Sequence, residues 1–358
     1  MNQTIQSLLE RHIRDDGFAG AAVVAVKHGE TVLEVHAGHA APGLPSSRDA
    51  LWPVASISKM YAVAALMRLV ERGEITLNTL ASGLIPQFTG DGREDIRLRH
   101  LLTHTSGLIY ESPQMEARLV AQVPLEILLE EALTAPLQFR PGSSLAYADY
   151  NTLIAGRMAE IATGRTLSDL VRELVLEPMG LRDTYFPTPS ELDSRVAVVR
   201  GVMAEGTNGA MYNSRYARSL AHPAFAVIAS VTDLARFGTH FAPSGPRVHS
   251  PATVRAMTRD QTGVVTGIHP SMKGYDHTAS MPWGLGWALQ TRWTPALLTE
   301  LASFSAFGHG GATGCELVID PEADLVVAVV SNTHLRVGRE EWYWRLQSIL
   351  NTVFSEFA

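Results

Sequence analysis

Residues with strong strand preference are confined to the two ends of this chain, and that distribution constrains the fold more than any other feature. Near the N-terminus, Ala21 to Val26 and Thr31 to Val35 are β-branched runs around His28-Gly29, the pattern of a β-hairpin. Strand signals return only near the C-terminus, at Trp283 to Leu289, Cys315 to Ile319 and Leu325 to Ser331, with a turn at Pro321-Glu322. Between about residues 75 and 225 the signals are mostly helical, at Arg97 to Leu102, Pro124 to Leu133, Asn151 to Ile161 and Leu167 to Leu174. Ile5 to Arg14 and Glu340 to Phe357 read as terminal helices. Thr232-Asp233 reads as an N-cap before Leu234 to Phe241, and Ser250-Pro251 as another helix start. The expectation is one sheet whose first and last strands meet in space, with a helical part inserted between them.

Composition narrows the function. With 46% hydrophobic and 18% charged residues the chain is ordinary globular material. A net charge of −7 offers no footprint for nucleic acid. The single cysteine, Cys315, excludes an intrachain disulfide and thiolate-clustered metal sites, and reads as a buried strand residue. Residues 1–16 mix charges into their apolar positions, so no signal-peptide core is read there, and a cytoplasmic location is expected. Of 29 cationic side chains only three are lysines, Lys27, Lys59 and Lys273. Each is therefore worth inspecting.

Lys59 closes the sequence Ser56-Ile57-Ser58-Lys59, at the start of a helical segment reaching Arg72. Positions i and i+3 share a helix face, so the Ser56 hydroxyl and the Lys59 amine can meet. The helix N-terminus favours a serine alkoxide and disfavours a nearby ammonium. Bringing a lysine from about 10.4 to near 7, where it can act as a base, takes roughly 4 to 5 kcal/mol of environment. An arginine cannot serve this way. Alone, S-x-x-K is a weak pattern, and an ordinary helix start explains it equally well.

Its companions make it specific. S-x-x-K with two further elements marks serine β-lactamases and penicillin-binding proteins. This chain adds Leu101-Leu102-Thr103-His104-Thr105-Ser106-Gly107-Leu108, then Phe139-Arg140-Pro141-Gly142 followed by Tyr147-Ala148-Asp149-Tyr150. Glu177 to Thr184, Asp233 to Phe237, Gly284 to Trp287 and Gly308-His309-Gly310-Gly311 follow in order. The whole series, from about residue 17 to residue 332, resembles the class C β-lactamase-like branch of that family, which includes family VIII esterases and related acyltransferases.

The resemblance implies an α/β (α+β) fold of the β-lactamase/transpeptidase type. It has an antiparallel sheet flanked by N- and C-terminal helices, with an inserted helical domain. Residues 1–358 would form one catalytic domain, its sheet part about 1–55 and 226–358 and its helical part about 56–225. Ser56 would be the nucleophile, Lys59 and Tyr147 would share general-base work, and the amides of Ser56 and Ala312 would form the oxyanion hole. His309, Gly310 and Gly311 stand at the K-T-G or H-x-G element. Two departures are visible: Asp149 replaces the Asn of Y-x-N, and Pro223-Ala224-Phe225-Ala226 stands where relatives show P-A-G-G. Asp149 is thus a candidate to pair with Lys59 or to hold substrate, and Phe225 a candidate to line the acyl pocket or to pack in the core. Trp283, Trp287, Tyr110 and Tyr216 are further candidates for pocket walls.

Other patterns carry less. His100 and His104 are four apart without the H-E-x-x-H needed for zinc, and His104 is expected to make structural hydrogen bonds. Glu74 to Asn78 reads E-x-x-x-N but lies only 18 residues after Ser56, a coincidence of spacing. The charge run Arg93 to Arg99 is expected to be a solvated helix start. No G-x-S-x-G elbow occurs. The expected function is a serine acyl hydrolase of esterase type, acting on a small-molecule ester or amide without metal or cofactor. An acyltransferase or amide synthase using the same acyl-enzyme is the alternative, and a non-catalytic ligand-binding member of the fold is a third.

Overall fold

The computed structural model describes residues 2–201, 212–263, 267–268, 282–290, 299–334 and 339–358. Helix α1 (Asn2–Arg14) leads into strands β1 (Gly20–Lys27) and β2 (Glu30–Ala41). His28 and Gly29 turn the hairpin, both with positive φ (51° and 80°), the geometry that matches the twist of paired strands. At the other end of the chain lie β3 (Phe307–Gly311), β4 (Cys315–Asp320), β5 (Leu325–Ser331) and the C-terminal helix Arg339–Phe357.

Strand β1 pairs antiparallel with β5 in the register Ala21↔Ser331 to Lys27↔Leu325, which joins the chain's two ends. The Asn332 side chain fastens that junction, accepting from the Gly20 amide at 2.9 Å. The sheet runs Leu44–Pro45, β2, β1, β5, β4, β3, Ala288–Leu289, with each neighbouring pair antiparallel. The architecture expected from the distribution of strand signals is the one observed.

Both faces of the sheet's centre are buried, which is why Leu325 to Val330 reads as an unbroken apolar run rather than an alternating one. Alternate residues serve different layers. Val23, Val327 and Val329 pack with Ile5 and Leu9 of α1 and with Ile349 and Val353 of the C-terminal helix. Val24, Val326 and Leu317 join the larger core beneath the helical part. There the helix Val231–Thr239 crosses the sheet closely enough that a side chain on Gly238 would reach within 2.6 Å of Val326. Helix α2 (Ser58–Glu71) is buried on most of its surface and forms the axis of the helical part.

Three local expectations differ from the structure. Trp283 to Leu289 is not a continuous strand: only Ala288–Leu289 is strand, with a single bridge from Trp283 to Ala288. Gly286 at φ 83° turns the chain there, and its amide bonds the Leu102 carbonyl at 2.8 Å instead of a ladder partner. The helix expected after Thr232-Asp233 begins earlier, capped by Ser230, whose Oγ accepts from the Asp233 amide at 3.2 Å. The Asp233 carboxylate is spent elsewhere, on the Asp183 amide at 2.6 Å. Arg93 is not solvated but buried, and its guanidinium donates to the Ala135 carbonyl at 3.0 Å. No described helix is long and apolar enough to cross a membrane.

Candidate active site

Ser56 lies in a 3₁₀ turn, Ala55–Ile57, that runs directly into α2. The turn is forced: Ala55 has φ 46°, a left-handed conformation that costs a non-glycine residue about 1 kcal/mol. What holds it is the end of the sheet. Thr313 Oγ1 donates to the Pro53 carbonyl at 2.5 Å, and Gly311 lies so close that a Cβ there would stand 2.3 Å from the Val54 carbonyl. The glycine of the third motif thus lets strand β3 abut the nucleophile turn. Ala312 follows it in the same tight turn.

Lys59, one turn into α2, is 1% exposed and surrounded by oxygen. Its Nζ lies 3.0 Å from Ser56 Oγ, 3.2 Å from the Ala224 carbonyl and 2.8 Å from Asp149 Oδ1, and it sits 4.7 Å from the centre of the Tyr147 ring. An ammonium has three protons for those three oxygens, whereas a neutral amine has two. Burial works to lower the Lys59 pKa, but the charge of the Asp149 carboxylate beside it outweighs burial and the balance is upward. Asp149 is buried too, and burial raises its pKa against the pull of Lys59. The resting state is therefore an ion pair, with the ammonium donating to Ser56.

Tyr147 and Asp149 are delivered by the loop that opens the helix Asp149–Thr163. The Thr-His-Thr-Ser-Gly motif builds that loop's seat. His104 Nδ1 accepts from the Ala148 amide at 3.2 Å and from Asn151 Nδ2 at 2.9 Å, while Ser106 Oγ donates to Asn151 Oδ1 at 2.5 Å. Gly107 at φ 87° has no room for a side chain, since a Cβ would lie 2.2 Å from the Phe139 carbonyl. The Gly142 amide then bonds the Thr105 carbonyl at 2.7 Å, so the Thr-His-Thr-Ser-Gly and Phe-Arg-Pro-Gly segments form one clamp. His104 is structural, as expected. His100 Nδ1 is likewise taken by a main-chain amide, that of Arg97, at 3.2 Å. Among the described residues no group of three His, Cys, Asp or Glu is placed to hold a metal ion.

The Tyr147 side chain is buried beside Lys59, and burial raises its pKa more than Lys59 lowers it, so it rests as a phenol. Its ring lies 4.4 Å from that of His104, 5.8 Å from Trp283 and 6.0 Å from His309. His309 Nδ1 lies 2.8 Å from the Gly310 carbonyl, so that nitrogen carries the hydrogen and the buried Nε2, which has no partner, presents a lone pair. Burial and the nearby Lys59 bring its pKa down to about 3. The ring is neutral, unlike the lysine of K-T-G.

The remaining candidates separate. Trp283 is buried against Tyr147 and His309, but Trp287 packs with Phe237, Phe241 and Phe307 in the core. Tyr110 lies beside Asp149, its carbonyl accepting from the Asp149 amide at 2.8 Å. Tyr216 is engaged away from the site, donating to the Val123 carbonyl at 2.5 Å. Phe225 is buried and stacks on His222 with centroids 4.3 Å apart. Cys315 is buried beneath Pro53, and burial pushes its thiol up to about 11. Of the other lysines, Lys27 ends β1, and Lys273 lies outside the described residues. Sequence reasoning missed His222 and Glu316. His222 is held neutral by burial beside Lys59, its pKa near 3. Glu316 stands on β4 opposite Gly310. Neither lies in a recognisable motif.

A serine, lysine and tyrosine converging at a sheet edge beneath a helical part define a class of serine acyl enzyme. The chain belongs to the Beta-lactamase family, whose model matches residues 2–350. Over 199 residues it is 32% identical to esterase EstB of Burkholderia gladioli, covering 51% of this chain and 50% of the relative. Penicillin-binding protein 4 of Amycolatopsis lactamdurans is 26% identical over 327 residues, covering 87% of this chain and 80% of that one. The match thus spans about half the esterase's length. Among solved structures, EstCE1, a hydrolase with promiscuous acyltransferase activity, has the same fold, with a TM-score of 0.78 at 21% identity and 97% of each chain covered. The esterase relative agrees with the hydrolase reading of the sequence.

Proposed function

We propose that this protein is a serine hydrolase that cleaves an ester or amide of a small molecule through an acyl-Ser56 intermediate. The contact of Lys59 Nζ with Ser56 Oγ at 3.0 Å, on a turn held against the sheet edge, carries the reading. Ser56 Oγ attacks the substrate carbonyl, whose oxygen takes the negative charge and is received by the Ser56 and Ala312 amides. One such donor is typically worth about 3 kcal/mol. Tyr147, buried beside Lys59, passes its proton to the departing alkoxide or amine and recovers it from the water that releases the acyl group. His309, Gly310, Trp283 and Asp149 surround the reacting atoms, with Gly311 supporting the turn and Phe225 backing it from the core.

The test is turnover of p-nitrophenyl esters of graded chain length, with intact mass followed in parallel. An acyl adduct on the wild type, absent from Ser56→Ala, is expected. Turnover retained by Ser56→Ala would overturn the nucleophile assignment. The promiscuous acyltransferase activity of EstCE1 is the reason to include an amine. An adduct discharged by hydroxylamine but stable in water would make the protein a transferase, and no adduct at all would make it a binding protein.

A further inference from the structure

We propose that Asp149, acting through Lys59, is the group that finally takes the proton of the Ser56 hydroxyl. The inference rests on the reading of Ser56 as nucleophile and asks where its proton goes. Lys59 cannot simply accept it, because its Nζ already donates to Ser56 and to the Ala224 carbonyl, is ion-paired with Asp149 at 2.8 Å, and rests as an ammonium. The surrounding groups are few. From the Asp149 loop come Tyr147 and Asp149 itself, from the preceding loop Tyr110, from the segment before Phe225 the Ala224 carbonyl and His222, and from β3 His309. Tyr147 is a buried phenol and Tyr110 a partly exposed one, and desolvation pushes both pKa values up, so both keep their protons. His222 spends its Nδ1 lone pair on the Ala224 amide at 3.2 Å, and His309 is a poor base this close to the ammonium.

Among the described residues, Asp149 is the one anion in contact with Lys59. It lies at the first turn of its helix, where the helix dipole supports a carboxylate, while burial makes that carboxylate more ready to take a proton. The step balances as follows. The Ser56 oxygen bonds the carbonyl carbon, its proton passes to Lys59 Nζ, a proton already on Nζ passes to Asp149 Oδ1, and the carbonyl π electrons become the oxyanion. Lys59 stays an ammonium throughout, and one negative charge moves from Asp149 to the oxyanion. Tyr147 protonates the leaving group and is reprotonated by the attacking water. When the acyl group is released and the Ser56 oxygen is free again, the proton held on Asp149 returns to it through Lys59. An asparagine at this position, as in the Y-x-N pattern, has no site to receive it. Asp149 does not itself touch the reacting carbonyl, so it is a positioning and relay residue.

The measurement is the rate at which a fluorophosphonate labels Ser56, read by intact mass from pH 4 to pH 10. This needs no knowledge of the substrate. In the wild type the acid limb follows ionisation of the Asp149–Lys59 pair. In Asp149→Asn the limb belongs to Lys59 alone, which must then lose a proton to act. It is expected to move up by at least about one pH unit, with labelling at pH 6 slowed tenfold or more and labelling at pH 9 within tenfold of wild type. Asp149→Glu, which restores a carboxylate, is expected to return the limb toward its wild-type position and guards against a folding defect. An acid limb unmoved in Asp149→Asn, or a rate lost equally at every pH, overturns the relay. Failure of the wild type to label, or labelling that survives Ser56→Ala, instead defeats the nucleophile reading on which the relay rests.

Discussion

Glu316 gives the sharpest quantitative test of how this sheet edge is built. Its carboxyl occupies the space a side chain on Gly310 would take, with Oε2 2.9 Å from where that Cβ would stand. It is 5% exposed, and Oε1 has no hydrogen-bond partner. Burial alone pushes its pKa well above the ordinary 4.5. Between the unfolded and folded values the native protein holds one proton more than the unfolded chain. Unfolding therefore releases a proton, and native stability falls by about 1.4 kcal/mol for each unit of rising pH. The loss begins as pH passes about 4.5 and continues until the native carboxyl ionises. Glu316→Gln keeps the shape and removes the proton. Its advantage over wild type is expected to grow with rising pH above about 4.5, by up to about 1.4 kcal/mol per unit, and to level off once the native carboxyl ionises. Urea unfolding followed by tryptophan fluorescence reads this as a midpoint shift of about 0.5 M per pH unit, for a slope near 3 kcal/mol/M. A difference between the two proteins that stays flat with pH would refute the reasoning, because it requires a carboxylate already ionised or paired in the fold.

Four further outcomes follow from the same contacts. Lys59→Arg keeps the charge beside Asp149 but removes a cation that can exchange protons, so Ser56 labelling should drop by about 10³-fold or more, against a shift of tenfold per 1.4 kcal/mol; near-wild-type labelling would show that no proton passes through this position. Gly311→Ala must push the Val54 carbonyl away from a Cβ at 2.3 Å, and should cost about 1 to 3 kcal/mol in urea and slow labelling, whereas Gly310→Ala meets only the tip of Glu316 and should cost less. An inverted order of the two would contradict the packing. His104→Ala strips the acceptor from two buried donors, with an expected loss of about 2 kcal/mol and slower labelling, and unchanged stability would mean the Tyr147 loop is held by something else. His309→Lys should raise kcat/KM for an ester bearing a carboxylate, relative to its neutral methyl ester, by about tenfold, the equivalent of 1.4 kcal/mol. A constant ratio would remove His309 from substrate discrimination.

The parts legible in the sequence are those set by local periodicity. Strand signals at the two ends predict a sheet closed by distant segments, and the β1–β5 pairing closes it. The spacing of Ser56 and Lys59 predicts a contact on one helix face, and the two atoms lie 3.0 Å apart. Where glycines intervene the same logic fails. Trp283 to Leu289 has strand composition, but Gly286 bends it, and the amides of Leu285 and Gly286 bond the Met257 and Leu102 carbonyls, leaving only Ala288–Leu289 in the sheet. A charge run is also ambiguous in sequence: Arg93 looks solvated until the fold brings the Ala135 carbonyl to its guanidinium.

What stays illegible is the environment of the lysine, because its partners come from positions 90 and 165 residues away in sequence. Periodicity places Lys59 at a helix start and cannot say whether its neighbours will raise or lower its pKa. A helix N-terminus and burial both favour the neutral amine. One carboxylate at 2.8 Å reverses them, since a buried counter-charge outweighs a partial dipole. The departure of Asp149 from the asparagine pattern is thus the residue that decides the charge state of the site. It also explains how one ammonium is accommodated in so apolar a place: His222 and His309 are both held neutral beside it, so the pair carries no net charge and no second cation competes for Asp149.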